Sequence, residues 1–223
     1  MKVLIFGATG MVGQGVLREC LAAQDVCQVT TVGRTPLELK HPKLQQLVHT
    51  DLMRLNERED ELREFDACFF CLGVSSSGMS EDAYRQITLD LTLTVATLLV
   101  RLNPAMTFVY VSGAGTDSSE QGRSMWARIK GKTENELKKL PFQAVYLFRP
   151  AIIQPLHGIK SKTLSYQYMY TLMSPFLTLI RWVFPNAIVT TEYVGKAMLN
   201  AARHGSGRVV IEAKDIIRLA TGG

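Results

Sequence analysis

The chain has 223 residues, 47% of them hydrophobic and 20% charged, with a net charge of +5. That is apolar mass for one large domain, or one domain with a small lobe, and no internal repeat or low-complexity tract interrupts it. The positive excess does not point to nucleic acid: the one dense basic run, RIKGKTENELKKL, is interleaved with glutamates like the solvated face of a helix, and no patterned basic stripe accompanies it.

MKVLIF reads as a strand, and GMVGQGVLRECLAAQ as a helix that opens at once. CQVTTVG, rich in β-branched residues, is a second strand and LQQLVH a short third. LNEREDELREF is expected as a charged helix and DACFFCLG as a continuous apolar strand. EDAYRQITLDLTLTVATLLVRL is a long helix, capped through Ser80 and stopped at Asn103-Pro104. MTFVYVSG is a fifth strand, SEQGRSMWARIKGKTENELKKL the next helix, and FQAVYLFRP a sixth strand.

Strands buried on both faces and separated by helices imply a doubly wound, Rossmann-like α/β domain with a parallel sheet. Its core is expected over residues 1–155. From Ala151 the order breaks, and residues 156–206 are expected as a small carboxyl-terminal lobe or lid. Within it TLSYQYMYTLMSPFLTLIRWVFP has nearly the length of a membrane span. Pro175, Arg181 and its polar residues favour packed helices or a lid over membrane contact. AIVTTEYVGKAMLNAARH is a short strand and an amphipathic helix, and residues 207–223 return to the sheet as GRVVIEA, ending in a helical turn.

The first turn carries the clearest chemistry. Gly7, Gly10 and Gly13 form GxxGxxG between a strand and a helix, with only Ala8 and Thr9 as side chains in the turn. Bare backbone there lets a diphosphate approach, and the amides of Gly10, Met11, Val12 and Gly13 at the helix start face it. The second strand decides which dinucleotide. NAD-binding chains place an acid at its end, against the ribose 2′-hydroxyl. This chain has Gly33 and then Arg34, a fork that suits a 2′-phosphate, so NADPH is expected over NADH, unless Arg34 is simply a surface residue. Cys68 and Cys71 spell CxxC, but inside an apolar strand, and with Cys20 and Cys27 they read as structural thiols of a reducing cytoplasm. No metal set is visible, and a strand beginning at residue 2 leaves no room for a signal peptide.

GATGMVGQG, VGR, CLG, VSGAG, KGKTENEL and FRP together resemble the atypical short-chain dehydrogenases, in particular the Tat-interacting oxidoreductase group and its bacterial relatives, often labelled NAD-dependent epimerases. The resemblance covers residues 1–155 and continues through VTTEYVGKAMLNAA. It implies that Cys71, Leu72 and Gly73 run past the adenosine and its ribose. It implies that Ser112 is the active-site serine, that Lys130 holds the nicotinamide ribose, and that Pro150 and Ile152 border the nicotinamide. Each has a plainer reading, as a turn serine, a solvated lysine and the end of a strand. The loop VSSSGMSED is expected near the nicotinamide or substrate.

One position departs from the family. Its enzymes spell Tyr-x-x-x-Lys on this helix, and the tyrosine moves the proton during hydride transfer. Here Trp126 precedes Lys130, and an indole N–H is not a proton acid near neutral pH. Three readings stay open. Tyr84 or the tyrosines between 166 and 170 supply the acid; Ser112 and Lys130 relay a proton from water to a small carbonyl substrate; or the protein holds NADPH without turnover and reports it to a partner. Oligomeric state has no sequence signal.

Overall fold

The computed structural model describes residues 1–159 and 188–222. Five successive β–x–β passages lay down six of the seven strands of the main sheet. β1 (Lys2–Phe6) leads to α1 (Met11–Ala22), β2 (Gln28–Gly33) and β3 (Leu44–Val48). A 3₁₀ segment (Leu52–Leu62) returns the chain to β4 (Ala67–Phe70). A long helix then runs as α2 (Glu81–Arg85), a π-helical stretch (Gln86–Asp90) and α3 (Leu91–Leu102). β5 (Thr107–Val111), α4 (Met125–Leu137) and β6 (Ala144–Arg149) follow, then β7 (Ile152–Gln154). Beyond residue 187 come β8 (Ile188–Thr190), α5 (Thr191–His204), β9 (Val210–Glu212) and α6 (Ala213–Thr221).

The sheet order is β3-β2-β1-β4-β5-β6-β9, and every pair is parallel. The doubly wound fold expected from the strand pattern is therefore present, with its order reversing between β1 and β4. In open α/β sheets the crevice at that reversal receives ligands. Both faces are covered. Val3 and Ile5 point into one apolar layer with Val16, Val194 and Met198, whereas Leu4 and Phe6 point into the other with Phe70, Leu99 and Phe108. That alternation is why MKVLIF carries no polar residue after Lys2. A row of rings, Phe6, Phe70 and Phe108, crosses three adjacent strands at centroid separations of 5.2 and 5.9 Å.

Four elements differ from the sequence expectation, each for a local reason. The charged stretch at 52–62 is 3₁₀, broken at Arg54 and Arg58, not an α-helix. Its buried leucines Leu52 and Leu55 are three apart, and the pairs Arg54–Glu57 and Arg58–Glu61 share that spacing, which is the one a 3₁₀ turn eclipses. The helix after β5 starts at Met125, later than expected. Asp117 holds the preceding segment as a loop, accepting hydrogen bonds from Ser119 N at 3.0 Å and Gly122 N at 2.6 Å. β7 is a strand that the sequence did not signal; the order does break at Ala151, and its three residues lie outside the main sheet, in a separate two-stranded sheet with β8, from Ile152 opposite Ile188 to Gln154 opposite Thr190. Finally, α5 packs on α1 and α6 in the core layer, so residues 188–204 belong to the main body. Most of the expected lobe, including Tyr166, Tyr168 and Tyr170, lies outside the described residues. Ser80 does cap the long helix, accepting from Ala83 N at 3.3 Å.

Candidate functional site

A cleft of about 1420 Å³ opens along the carboxyl ends of the strands. It is larger than the ~300–1,000 Å³ usual for a drug-sized ligand. Its middle is the glycine turn. Gly10 N donates to Gly7 O at 2.9 Å and Gly7 holds φ +77, so the chain reverses within four residues. Gln14 braces the turn from α1, its side-chain amide donating to Thr9 O at 3.0 Å. α1 then begins at Met11 with glycine as its N-cap, no side-chain cap and no acid in the first turn. The uncapped amides and the positive end of the helix dipole are left for an anion. Gly7, Thr9, Gly10, Met11 and Val12 line the cleft, while Gly13 lies buried beneath the turn.

Gly33 and Arg34 line one end of the cleft. Arg34 is exposed and has no hydrogen-bond or ion-pair partner among the described residues. Its loop is fastened from β3: Gln46 accepts from Leu37 N at 2.6 Å and donates to Leu37 O at 3.1 Å. Leu47, Val48, Asp51 and Met53 complete this end, and the sequence reading missed them. Asp51 accepts a hydrogen bond from Met53 N at 2.9 Å, which is what any N-cap does, so the sequence held no separate signal for it.

Cys71, Leu72 and Gly73 pass through the middle of the cleft at the end of β4. Burial pushes the Cys71 thiol up to about 12 and the thiols of Cys20 and Cys68 up as well, so these are packing groups and not nucleophiles. All four cysteines are free, and no cluster that could hold a metal ion occurs among the described residues.

The far end is formed by Ser112, Trp126, Lys130, Pro150 and Ile152. Main-chain bonds fasten it, with Ser112 N on Phe148 O and Ala114 N on Pro150 O, both at 2.9 Å. Here the expected role of Ser112 needs correction. Its side chain is only 5% exposed, and its hydroxyl donates to Glu134 Oε1 at 2.6 Å. A hydroxyl has one proton, and this one is committed away from any substrate carbonyl. Glu134, 0% exposed, also receives a two-pronged contact from Arg149, whose other contacts are Ser118 Oγ at 2.6 Å and Glu212 at 3.6 Å. The partner of Ser112 was within reach of sequence reasoning, since Trp126, Lys130 and Glu134 stand at i, i+4 and i+8 on one helix face.

Lys130 lines this end of the cleft. Its ammonium donates to the carbonyl oxygen of Ser112, and desolvation lowers its pKa to about 8 against the opposing pull of Glu134. Trp126 is partly buried; a Cβ on Gly115 would sit 3.4 Å from its ring. It packs with Tyr84, Leu89 and Ile129. Tyr84 cannot take over the role of acid: it is 1% exposed and outside the cleft, and burial raises its hydroxyl above the ordinary value. The tyrosines at 166–170 lie outside the described residues.

A glycine turn at the reversal point of a parallel sheet, an uncapped helix start and a lysine at the opposite lip define an NAD(P)-binding protein of the short-chain dehydrogenase type. Residues 3–127, more than half of the chain, match the NAD dependent epimerase/dehydratase family, and the chain belongs to it, as an atypical member of the short-chain dehydrogenases. Among similar proteins, rat Protein HTATIP2 is 25% identical over 98% of this chain and 88% of its own length. Protein FMP52, mitochondrial, of Chaetomium globosum is 23% identical over 97% and 95%. A Burkholderia thailandensis oxidoreductase of the short chain dehydrogenase/reductase family superposes with a TM-score of 0.71 at 16% identity, covering 100% of this chain and 93% of the other, a likeness of fold. Among the described residues no helix is long and apolar enough to cross a membrane.

Proposed function

We propose that the protein binds NADPH along this cleft and uses it to reduce a small carbonyl compound. The observation that carries the reading is the pair of cations at the two ends of one groove: Arg34, unpartnered, where an NAD-binding chain would have an acid, and Lys130 at the opposite lip. The glycine turn and the start of α1 would hold the diphosphate, Arg34 the 2′-phosphate, and Lys130 the nicotinamide ribose. Pro150 and Ile152 would border the nicotinamide. When bound, the nucleotide supplies a hydride; the chain orients it, and Trp126 keeps water from one side.

Arg34→Ala tests the cofactor. A charge-assisted hydrogen bond contributes about 1.5–3 kcal/mol, so NADPH affinity should fall about 10- to 100-fold while NADH affinity moves less than about threefold. An unchanged ratio of the two dissociation constants would remove NADPH from the proposal. Gln46→Ala should act in the same direction and more weakly, by about three- to fivefold in NADPH affinity, because it frees the loop and not the cation. Titration by nucleotide fluorescence reads both.

A second reading rests on Trp126 and on the commitment of Ser112 to Glu134. A nucleotide-binding regulator that reports NADPH to a protein partner needs the cleft and no proton donor. NADPH oxidation screened against aldehydes, ketones and quinones separates the two: turnover supports the reductase, and micromolar NADPH affinity with no turnover supports the regulator. Free thiols fit a reducing compartment, either the cytoplasm or the mitochondrion named for the FMP52 relative, and cell fractionation distinguishes these.

A further inference from the structure

We infer that Lys130 is itself the proton donor of the proposed carbonyl reduction, its Nζ standing in for the acid that Trp126 displaces. The inference rests on the reductase reading, and it follows from the contents of the cleft.

Reducing a carbonyl to an alcohol takes a hydride at carbon and a proton at oxygen. At the end of the cleft opposite Arg34, the described residues offer few protons. The Ser112 hydroxyl is turned to Glu134. Trp126 has only an indole N–H, and Pro150 and Ile152 have no side-chain proton to give. The π-helical stretch and α3 present Ile87 and Leu91. Lys130 remains. An ammonium has three N–H donors; one is held by the Ser112 carbonyl, and the other two have no partner among the described residues. The carbonyl thus fixes Nζ at the lip and leaves protons to give.

The surroundings tune the group for the task. Facing it is Glu134 from its own helix, which favours the charged form and is itself paired to Arg149 of β6, whose Nη1 reaches Glu212 of β9. Cys71, at the end of β4, lines the same cleft and is neutral because its thiol titrates at about 12. The glycine turn brings no charge. Desolvation outweighs the pull of Glu134 and sets the ammonium at about 8, and an acid with a pKa near the working pH is an efficient donor. In the step, the substrate carbon gains a hydride, two electrons, from the reduced nicotinamide. The substrate oxygen gains the proton from Nζ, and the N–H bond breaks. The neutral amine then recovers a proton from water, and the products are an alcohol and the oxidised nucleotide.

The test pairs a pH profile with a readout independent of turnover. Competitive labelling of wild-type lysines with trace acetic anhydride, read by mass spectrometry, should give Lys130 a midpoint near 8, against values near 10.4 for exposed lysines. NADP⁺ should protect it. Turnover should fall as pH rises through that midpoint, because the donor is lost. Lys130→Arg keeps the cation but cannot release its proton. It should lower turnover about 100-fold or more, measured at saturating NADPH so that any loss of cofactor affinity does not enter the rate. Lys130→Met should lose turnover as well. A labelling midpoint near 10, or turnover in Lys130→Arg within about fivefold of wild type, overturns the inference and leaves the reductase standing. Absence of turnover in the wild type overturns the reductase reading and the donor with it.

Discussion

Gly13→Ala should abolish binding of either pyridine nucleotide, a loss of at least about 100-fold in affinity. The reason is local and steric. A Cβ at Gly13 would lie 2.1 Å from the Gly7 oxygen, 2.7 Å from its carbon and 2.8 Å from Ala8 Cα. All three atoms are main chain, so no side chain can swing aside. Gly7 cannot yield either: it sits at φ +77, and the space where its own Cβ would be lies 2.7 Å from the Cys71–Leu72 peptide. Only opening the turn makes room, and opening it moves the start of α1 away from the place where a diphosphate would rest. Overpacking of this sort costs about 1–3 kcal/mol. For a chain of this size the melting temperature should therefore drop by roughly 2–12 °C. Gly207→Ala, outside the cleft, is the matched control, because nothing lies within 4 Å of its Cβ position and neither the fold nor the cleft should notice it. Calorimetry with NADPH and NADH, beside thermal melts, reads both variants; near-native affinity in Gly13→Ala would place the nucleotide somewhere other than this turn.

The parts of this site that could be read in the sequence are those that depend on neighbours along the chain. Gly7, Gly10 and Gly13 declare themselves because a β-rich strand ends and a helix begins around them. Arg34 is legible because it directly follows the second strand, and Lys130 because Trp126 stands one turn before it. Ser112 shows the limit. Its place at the end of β5 was clear, yet the direction of its hydroxyl depends on how α4 and β6 meet behind it, which brings Glu134 and Arg149 together across 15 residues. Tyr84 failed as an acid for a similar reason: its helix was evident, but which face of it would be buried was not. β7 and β8 are three residues each and pair across a separation of 36 positions, too short to show a period and too far apart to signal each other. At 55–65 the dense charges suggested an α-helix, when the three-residue spacing of Leu52 and Leu55, which opens the segment at Leu52, was the better guide.

The Glu134–Arg149 pair links stability to the chemistry at the lip, and breaking it should be the most destabilising single change near the cleft. Glu134 is wholly buried, and Arg149, held above its ordinary pKa by that carboxylate, is its chief partner. Removing one partner leaves the other charge buried without compensation, which costs about 3–5 kcal/mol. Glu134→Ala and Arg149→Ala should each lower the melting temperature by roughly 6–20 °C. The pair is costly to bury as well as costly to break. The double variant Glu134→Leu, Arg149→Met should therefore recover much of the loss, and a double variant as unstable as the sum of the singles would argue against a coupled pair. Glu134→Gln separates charge from shape, since its amide oxygen can still accept from Ser112. The carboxylate raises the pKa of Lys130, so its removal should carry that ammonium further below about 8. The labelling midpoint and the descending limb of turnover should then both move to lower pH. A midpoint that stays put in Glu134→Gln would mean that desolvation alone sets the lysine, and that the buried pair serves the fold without tuning the proton.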